Sequence, residues 1–177
     1  MIKTPRTLLG IFLLPLFLCT SLMASTPSDK NNARLAQLDT YWAEVSRSVR
    51  EGDFEGYKAT CHPQAVIVSI SKKNSTPLTV ALARWEKEFS DTKSGKIKAT
   101  VTFRFSQRLG DETTAHETGI FFYSTINTKG ERTQEYLRFE TLLVKREDGW
   151  KTLMEYQKTQ ATQQEWDVLA KHHLYKK

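Results

Sequence analysis

Glu117, Arg138, Glu140, Glu155 and Gln157 are the residues of this 177-residue chain whose types and spacing could do chemistry. They fall in long stretches where polar and apolar residues alternate, and a strand sends alternate side chains to opposite faces. In the run 113–126, Ala115, Glu117, Gly119, Phe121 and Tyr123 share one parity, and His116, Thr118, Ile120 and Phe122 share the other. In 133–145, Arg138, Glu140 and Leu142 oppose Leu137, Phe139 and Leu143; in 150–157, Leu153, Glu155 and Gln157 oppose Thr152, Met154 and Tyr156. One sheet face is therefore expected to gather three carboxylates, a guanidinium and an amide. Carboxylates in a partly apolar site can act as general acids or bases, and a buried guanidinium needs charge-assisted partners. If the face is concave, it lines a mixed polar and apolar pocket. If it is open to solvent, the same groups are surface pairs that each contribute little. Tyr41 and Trp85, carried on helices, are candidate pocket walls and equally candidate core aromatics.

The remaining reactive residues carry less. His116 is a base by type but has the wrong parity for the carboxylate cluster, and geometry precedes pKa in choosing a base. His172 and His173 are adjacent, so they diverge on a helix, and no third ligand stands nearby; no metal and no cofactor are implied. Cys61 reads as a small buried apolar residue. Asn74-Ser75-Thr76 matches a glycosylation sequon, whose meaning depends on compartment.

The elements that must position these residues can be read from periodicity and turn signals. Leu35, Leu38, Trp42, Val45 and Val49 recur at helical steps and predict a helix over 33–50, after a flexible leader over 25–32. Gly52 ends it, and Asp53 caps a short second helix. His62-Pro63 breaks that helix, and 65–70 is a β-branched strand. Thr76-Pro77 reads as the cap and first residue of a third helix running to about Phe89. Gly110-Asp111, Lys129-Gly130 and Asp148-Gly149 then separate four long alternating runs, the pattern of an antiparallel meander. Thr162-Gln163-Gln164-Glu165 has the capping-box form and opens a last helix with Trp166 and Leu169. The order α-α-β-α-β-β-β-β-α makes an α+β fold, with helices covering one face of the sheet.

Residues 1–24 have the layout of a cleavable export signal. Lys3 and Arg6 precede an uncharged stretch from Leu8 to Leu22, and Met23-Ala24-Ser25 brings in small residues. Cleavage after Ala24 is expected, giving a periplasmic or secreted protein with one domain over 33–177 and no membrane contact of its own. The formal charge then falls from +6 to +4, because Lys3 and Arg6 leave. Cys61 becomes the single cysteine, so no intramolecular disulfide forms. The mild, scattered basic excess lacks the face that a nucleic-acid reader needs.

The local text resembles the nuclear transport factor 2-like superfamily over residues 35–157. The resemblance rests on Gly52-Asp53, on His62-Pro63 followed by Ala65-Val66, on Trp85, on Gly110-Asp111 with Thr114-Ala115, and on Asp148-Gly149-Trp150-Lys151. Glu140-Thr141 is similar to a pair in the calcium/calmodulin-dependent kinase II association domain, a relative that oligomerises. The resemblance implies a cone-shaped curved antiparallel sheet wrapped around the N-terminal helix. It also implies a pocket-facing side that would carry Tyr41, Trp85, Glu117, Tyr123, Arg138, Glu140, Glu155 and Gln157. The ketosteroid-isomerase branch places a catalytic Asp near the end of the first strand; here that region reads Val68-Ser69-Ile70, so no catalytic residue is carried over. The expected function is non-catalytic binding of a small organic ligand or a protein partner. A small acid–base enzyme using Glu117 or Glu155, and an assembly module, are the alternatives, since this fold hosts many functions. An outer face bearing Ile120, Phe122, Phe139 and Met154 is expected to pair two copies.

Overall fold

The computed structural model describes residues 26–174. The export segment expected over 1–24 lies outside the described residues, and so do the side chains of His172 and His173. None of the described helices is long and apolar enough to cross a membrane.

The first helix, α1 (Pro27–Glu51), begins where a flexible leader was expected. Thr26 is its N-cap: its hydroxyl accepts from the Asp29 N–H at 3.2 Å, and the Asp29 carboxylate accepts from the Thr26 N–H at 3.1 Å. This reciprocal cap, with Pro27 at the first helical position, fixes the start six residues early. The helix α2 (Phe54–Ala59) follows, its cap Asp53 accepting from the Gly56 N–H at 2.9 Å. Strand β1 (Cys61–Ser69) pairs with a second short strand, β2 (Asn74–Pro77), which the sequence reading had missed. Thr76 therefore sits in a hairpin, and α3 (Leu78–Lys93) starts after Pro77 with no side-chain cap. Strands β3 (Ile97–Gly110), β4 (Thr114–Asn127), β5 (Arg132–Arg146) and β6 (Gly149–Gln160) form the expected meander, and α4 (Gln163–Leu174) closes the chain.

The six strands make one curved, unclosed sheet in the order β2-β1-β6-β5-β4-β3. All neighbours are antiparallel except β1 and β6, which run parallel because α3 and the meander intervene. The concave face wraps α1. Leu38, Tyr41, Trp42 and Val45 recur on one helical stripe and bury against Val101, Ala115, Phe139, Leu143 and Trp150 of the sheet. A second core under α3 joins Leu78, Ala81 and Leu82 to Ala65 and Ile67 of β1. The outer face is covered in part by α4: Trp166 lies 6.1 Å from Phe122 and 5.7 Å from Tyr136, with the Arg104 guanidinium 4.1 Å over its ring.

The α1 turn into α2 brings α3 very close. Gly52 has φ 65°, and a Cβ there would stand 2.4 Å from the Lys93 backbone nitrogen and 2.5 Å from the Phe89 carbonyl oxygen. Both the left-handed backbone and the contact call for glycine. Gly52→Ala is expected to lose at least about 1–3 kcal/mol of stability from the backbone conformation alone, read as a lower denaturant midpoint. An unchanged midpoint would contradict the tight α1–α3 approach.

Candidate functional site

Between α1, α2, α3 and the concave face lies a cavity of about 710 Å3. Helix α1 contributes Tyr41, Trp42 and Val45, α2 contributes Tyr57, and α3 contributes Trp85, Glu88 and Phe89. The sheet contributes Phe103, Phe121, Tyr123, Phe139, Ile67, Ser69, Glu155 and Gln157. The aromatics contact one another edge-on or tilted: Tyr57 is 6.1 Å from Trp85 and 5.1 Å from Phe89, and Trp42 is 4.3 Å from Phe103. Such ring packing holds the walls rigid.

Of the eight expected site residues, the structure brings Tyr41, Trp85, Tyr123, Glu155 and Gln157 to this cavity and sends three elsewhere. Arg138 and Glu140 are on the outer face. The hairpin through Lys129-Gly130 pairs Glu117 with Thr141 and Tyr123 with Glu135, so the odd-numbered residues of both strands face α1 and the even-numbered ones face away. Arg138 donates to the Gln160 carbonyl and to Glu165 of α4, and reaches the Thr159 hydroxyl at 3.1 Å. Glu140 accepts from Lys158 and stands 3.7 Å from His116 Nε2. The same register moves Phe139 from the expected outer patch into the core, where it is 2% exposed. Ile120 stays on the outer face but is buried there.

Glu117 has the expected parity but does not line the cavity. It is 0% exposed and sits behind the Trp42 indole. Trp42 Nε1 donates to one carboxylate oxygen and Arg108 Nε to the other, both at 2.5 Å. Arg108 in turn donates to Asp39 of α1 at 2.5 Å, and its guanidinium lies 4.5 Å over the Phe105 ring. Strict alternation places Arg108 on the outer face. A bulge between Phe105 and Gln107 shifts the register, so Arg108 pairs with Glu117 and turns inward. A bulge between Leu142 and Leu143 does the same on β6, turning Thr152 toward Tyr41, whose hydroxyl is 2.6 Å from Thr152 Oγ1.

Of the three acids that line the cavity, Glu88, Glu135 and Glu155, the last is the one carried on the sheet floor with a raised carboxyl. It lies on β6 between Ile67 and Thr141. Burial raises its carboxyl above the ordinary carboxylate range, and Gln157 Nε2, donating at 2.7 Å, opposes the rise only in part. Burial also holds the Tyr41 and Tyr57 phenols protonated, and pushes the Cys61 thiol up to about 11. Tyr123 is likewise raised, by burial and by donating to Glu88 of α3. The site therefore offers one carboxyl inclined to hold a proton, a ring of neutral phenols and an apolar aromatic body. Among the described residues no three His, Cys, Asp or Glu come together to hold a metal ion. Glu88, Glu135, Tyr57 and Trp42 are lining residues that the sequence reading did not single out for the pocket; the recurrence of Trp42 with Leu38 and Val45 at helical steps was the signal available for one of them.

Residues 35–161 match the family model described as the calcium/calmodulin dependent protein kinase II association domain. Among curated proteins, none matches the chain. Solved structures share its fold. A conserved protein from Planctomyces limnophilus DSM 3776 has 11% identity and a TM-score of 0.60, over 73% of this chain and 99% of that one. An NTF-2 like protein of unknown function from Shewanella oneidensis MR-1 has 16% identity and a TM-score of 0.55, over 71% and 98%. A protein from Catenulispora acidiphila, solved in complex with S-DNPA, has 18% identity and a TM-score of 0.55, over 72% and 93%. At these identities the likeness is one of fold.

Two outcomes follow from Glu117 and Glu155. Glu117→Ala strands the Arg108 guanidinium and the Trp42 N–H, so a loss of about 3–5 kcal/mol is expected in chemical denaturation. Glu117→Gln keeps an acceptor and is expected to lose less; equal losses would mean that the charge does not matter. Glu155 behaves in the opposite way. Its folded-state pKa lies above the unfolded one, so ionisation opposes folding as pH rises through that interval, and the full cost is present above it. Glu155→Gln is expected to melt higher than the parent protein at neutral pH, the two curves converging below pH ~4. A lower melting temperature for the variant at neutral pH would show that the ionised carboxylate is satisfied in the fold.

Proposed function

This chain belongs to the calcium/calmodulin dependent protein kinase II association domain family and has the nuclear transport factor 2-like fold, and on that premise we propose that it is an exported binding protein whose cavity takes up a small organic molecule. The observation that carries this reading is the about 710 Å3 cavity, walled by aromatic rings and holding a single deep carboxyl at Glu155. That volume lies within the range of roughly 300–1,000 Å3 usual for small-molecule sites, which are mostly apolar with a few placed polar groups. The complex with S-DNPA reported for the Catenulispora acidiphila neighbour is in keeping with a ligand-holding role for this fold. Export rests on the signal-like layout of residues 1–24.

A second reading, an acid–base enzyme, is favoured by one feature: the raised Glu155 carboxyl, since shifted carboxyls in clefts mark candidate acids. It would act alone. Both oxygens of Glu117 are already occupied, and His116 lies on the outer face with Glu140. Binding without turnover therefore needs fewer assumptions than catalysis.

The partner proposed for the outer face is a second copy of this chain. With Phe139 in the core and Phe122 beside α4, the apolar surface left is on β1, β5 and β6, where Val68, Leu142, Met154 and Tyr156 are half-buried. Incomplete burial of such a strip supports pairing.

One experiment tests these proposals together. Protein recovered from the exported fraction of its host is weighed by native mass spectrometry. The expected mass is that of two chains starting at Ser25, each with a small-molecule adduct. A single chain removes the dimer, and a retained N-terminal segment removes cleavage after Ala24. Leu137→Trp, which fills a lining position, is expected to lose the adduct and stay folded. An adduct that survives this change lies outside the cavity.

A further inference from the structure

We propose that the molecule selected by this cavity is an organic cation, an amine carried on a flat apolar body, with Glu155 as its counter-charge. The inference rests on the small-molecule reading of the cavity and deepens it.

Three acids line the cavity, Glu88, Glu135 and Glu155, and among the described residues none of them is in an ion pair. Other acids without an ion pair, such as Glu86, Asp111, Glu131 and Glu147, are exposed to water, while many acids of the chain do hold a cation. Asp39, Glu44, Asp53, Asp91, Glu117, Glu140 and Glu165 all hold a Lys or Arg within ion-pair distance. A chain with 26 Lys and Arg against 20 Asp and Glu does not lack cations to offer. Those near the cavity are placed away from Glu155. Lys158 is taken by Glu140. Arg84 and Lys72 stand exposed at the mouth, where water and salt screen them.

The groups that do face Glu155 are neutral. They are Tyr41 from α1, Tyr57 from α2, Cys61 and Ile67 from β1, Thr141 from β5 and Gln157 from its own strand. A desolvated carboxyl with one amide donor and no cation is an incomplete site: an ionised carboxylate there is stabilised only by a charge that arrives from outside. An ammonium group supplies that charge and several strong hydrogen bonds. The surrounding rings add to the selection, because the faces of Trp and Tyr attract cations and become more effective as water is excluded. An anionic ligand of the same shape meets the reverse: no cation at depth and a carboxyl that would have to keep its proton.

The test compares three probes of one shape: 2-phenylethylammonium, the neutral 2-phenylethanol and the anionic 3-phenylpropanoate. Each is titrated into the purified protein while the fluorescence of the cavity-wall tryptophans, Trp42 and Trp85, is followed. An apolar dye that fluoresces in hydrophobic cavities serves as a separate check on the cavity itself. The ammonium probe is expected to bind about tenfold or more tightly than the other two, as a charge-assisted contact to a desolvated carboxyl requires. Glu155→Gln is expected to reduce the ammonium probe to the level of the alcohol, and uptake of the dye by the variant shows that it is folded. Equal binding of the three probes, tighter binding of the carboxylate, or an ammonium preference that survives Glu155→Gln overturns the inference. Dye uptake with no ammonium preference overturns the cation alone and leaves the binding cavity standing. Failure to take up the dye or any probe removes both.

Discussion

The buried Glu117 carboxylate is the constraint on which the rest of the structure depends. It is fully enclosed, and both of its oxygens are committed: one accepts from Trp42 of α1, the other from Arg108 of β3. A buried carboxylate without such partners would be very costly, so the groups that satisfy it are not free to move. Arg108 extends the arrangement outward to Asp39 on the same helix, so α1 is tied to the sheet at two points about one turn apart. The guanidinium is held between a buried carboxylate and an exposed one through its Nε and Nη1, while its Nη2 is buried without a partner.

Trp42 connects this anchor to the cavity. Its N–H is spent on Glu117, while its ring packs on Phe103 and Phe139 and forms a cavity wall. The helix is therefore fixed in rotation, and with it the position of Tyr41, which reaches the opposite wall at Thr152. The sheet curves away from α1 toward its β1 and β2 edge, and α2 and α3 roof the gap without filling it. Protein interiors otherwise pack to crystal density. A space of this size, lined by side chains already locked by ring contacts and hydrogen bonds, is one that the fold maintains rather than one left by loose packing.

The fold was legible in the sequence because its signals are local. Helical stripes, turn dipeptides and alternation each depend on a handful of neighbouring residues, and they recovered three of the four helices near their bounds and all four long strands. Two local signals were misread. Thr26-Pro27-Ser28-Asp29 is a capping box with aspartate in the third position, in a stretch whose polarity reads as leader. Thr76-Pro77 has the look of a helix start, but its backbone pairs with Val66 and Ile67 to make a strand. Competition between a cap and a hairpin is decided by the partner strand, which does not appear in the local text.

Composition, element order and the parity of each strand taken by itself were thus determined by the sequence, since these follow from backbone geometry and hydrophobic period. Which parities share a face was decided only by tertiary structure. Register between strands depends on hairpin length and on bulges, and a shift of one residue turns every side chain to the other face. That is why Arg138 and Glu140 left the expected cluster, why Arg108 and Thr152 turned inward, and why Glu117, with the right parity, became an anchor behind a tryptophan. Glu155 and Gln157 kept their place because they sit between the two bulges of their strand. The Glu155 carboxyl deep in the cavity, with no cation of the described residues paired to it, is a property of the assembled cone.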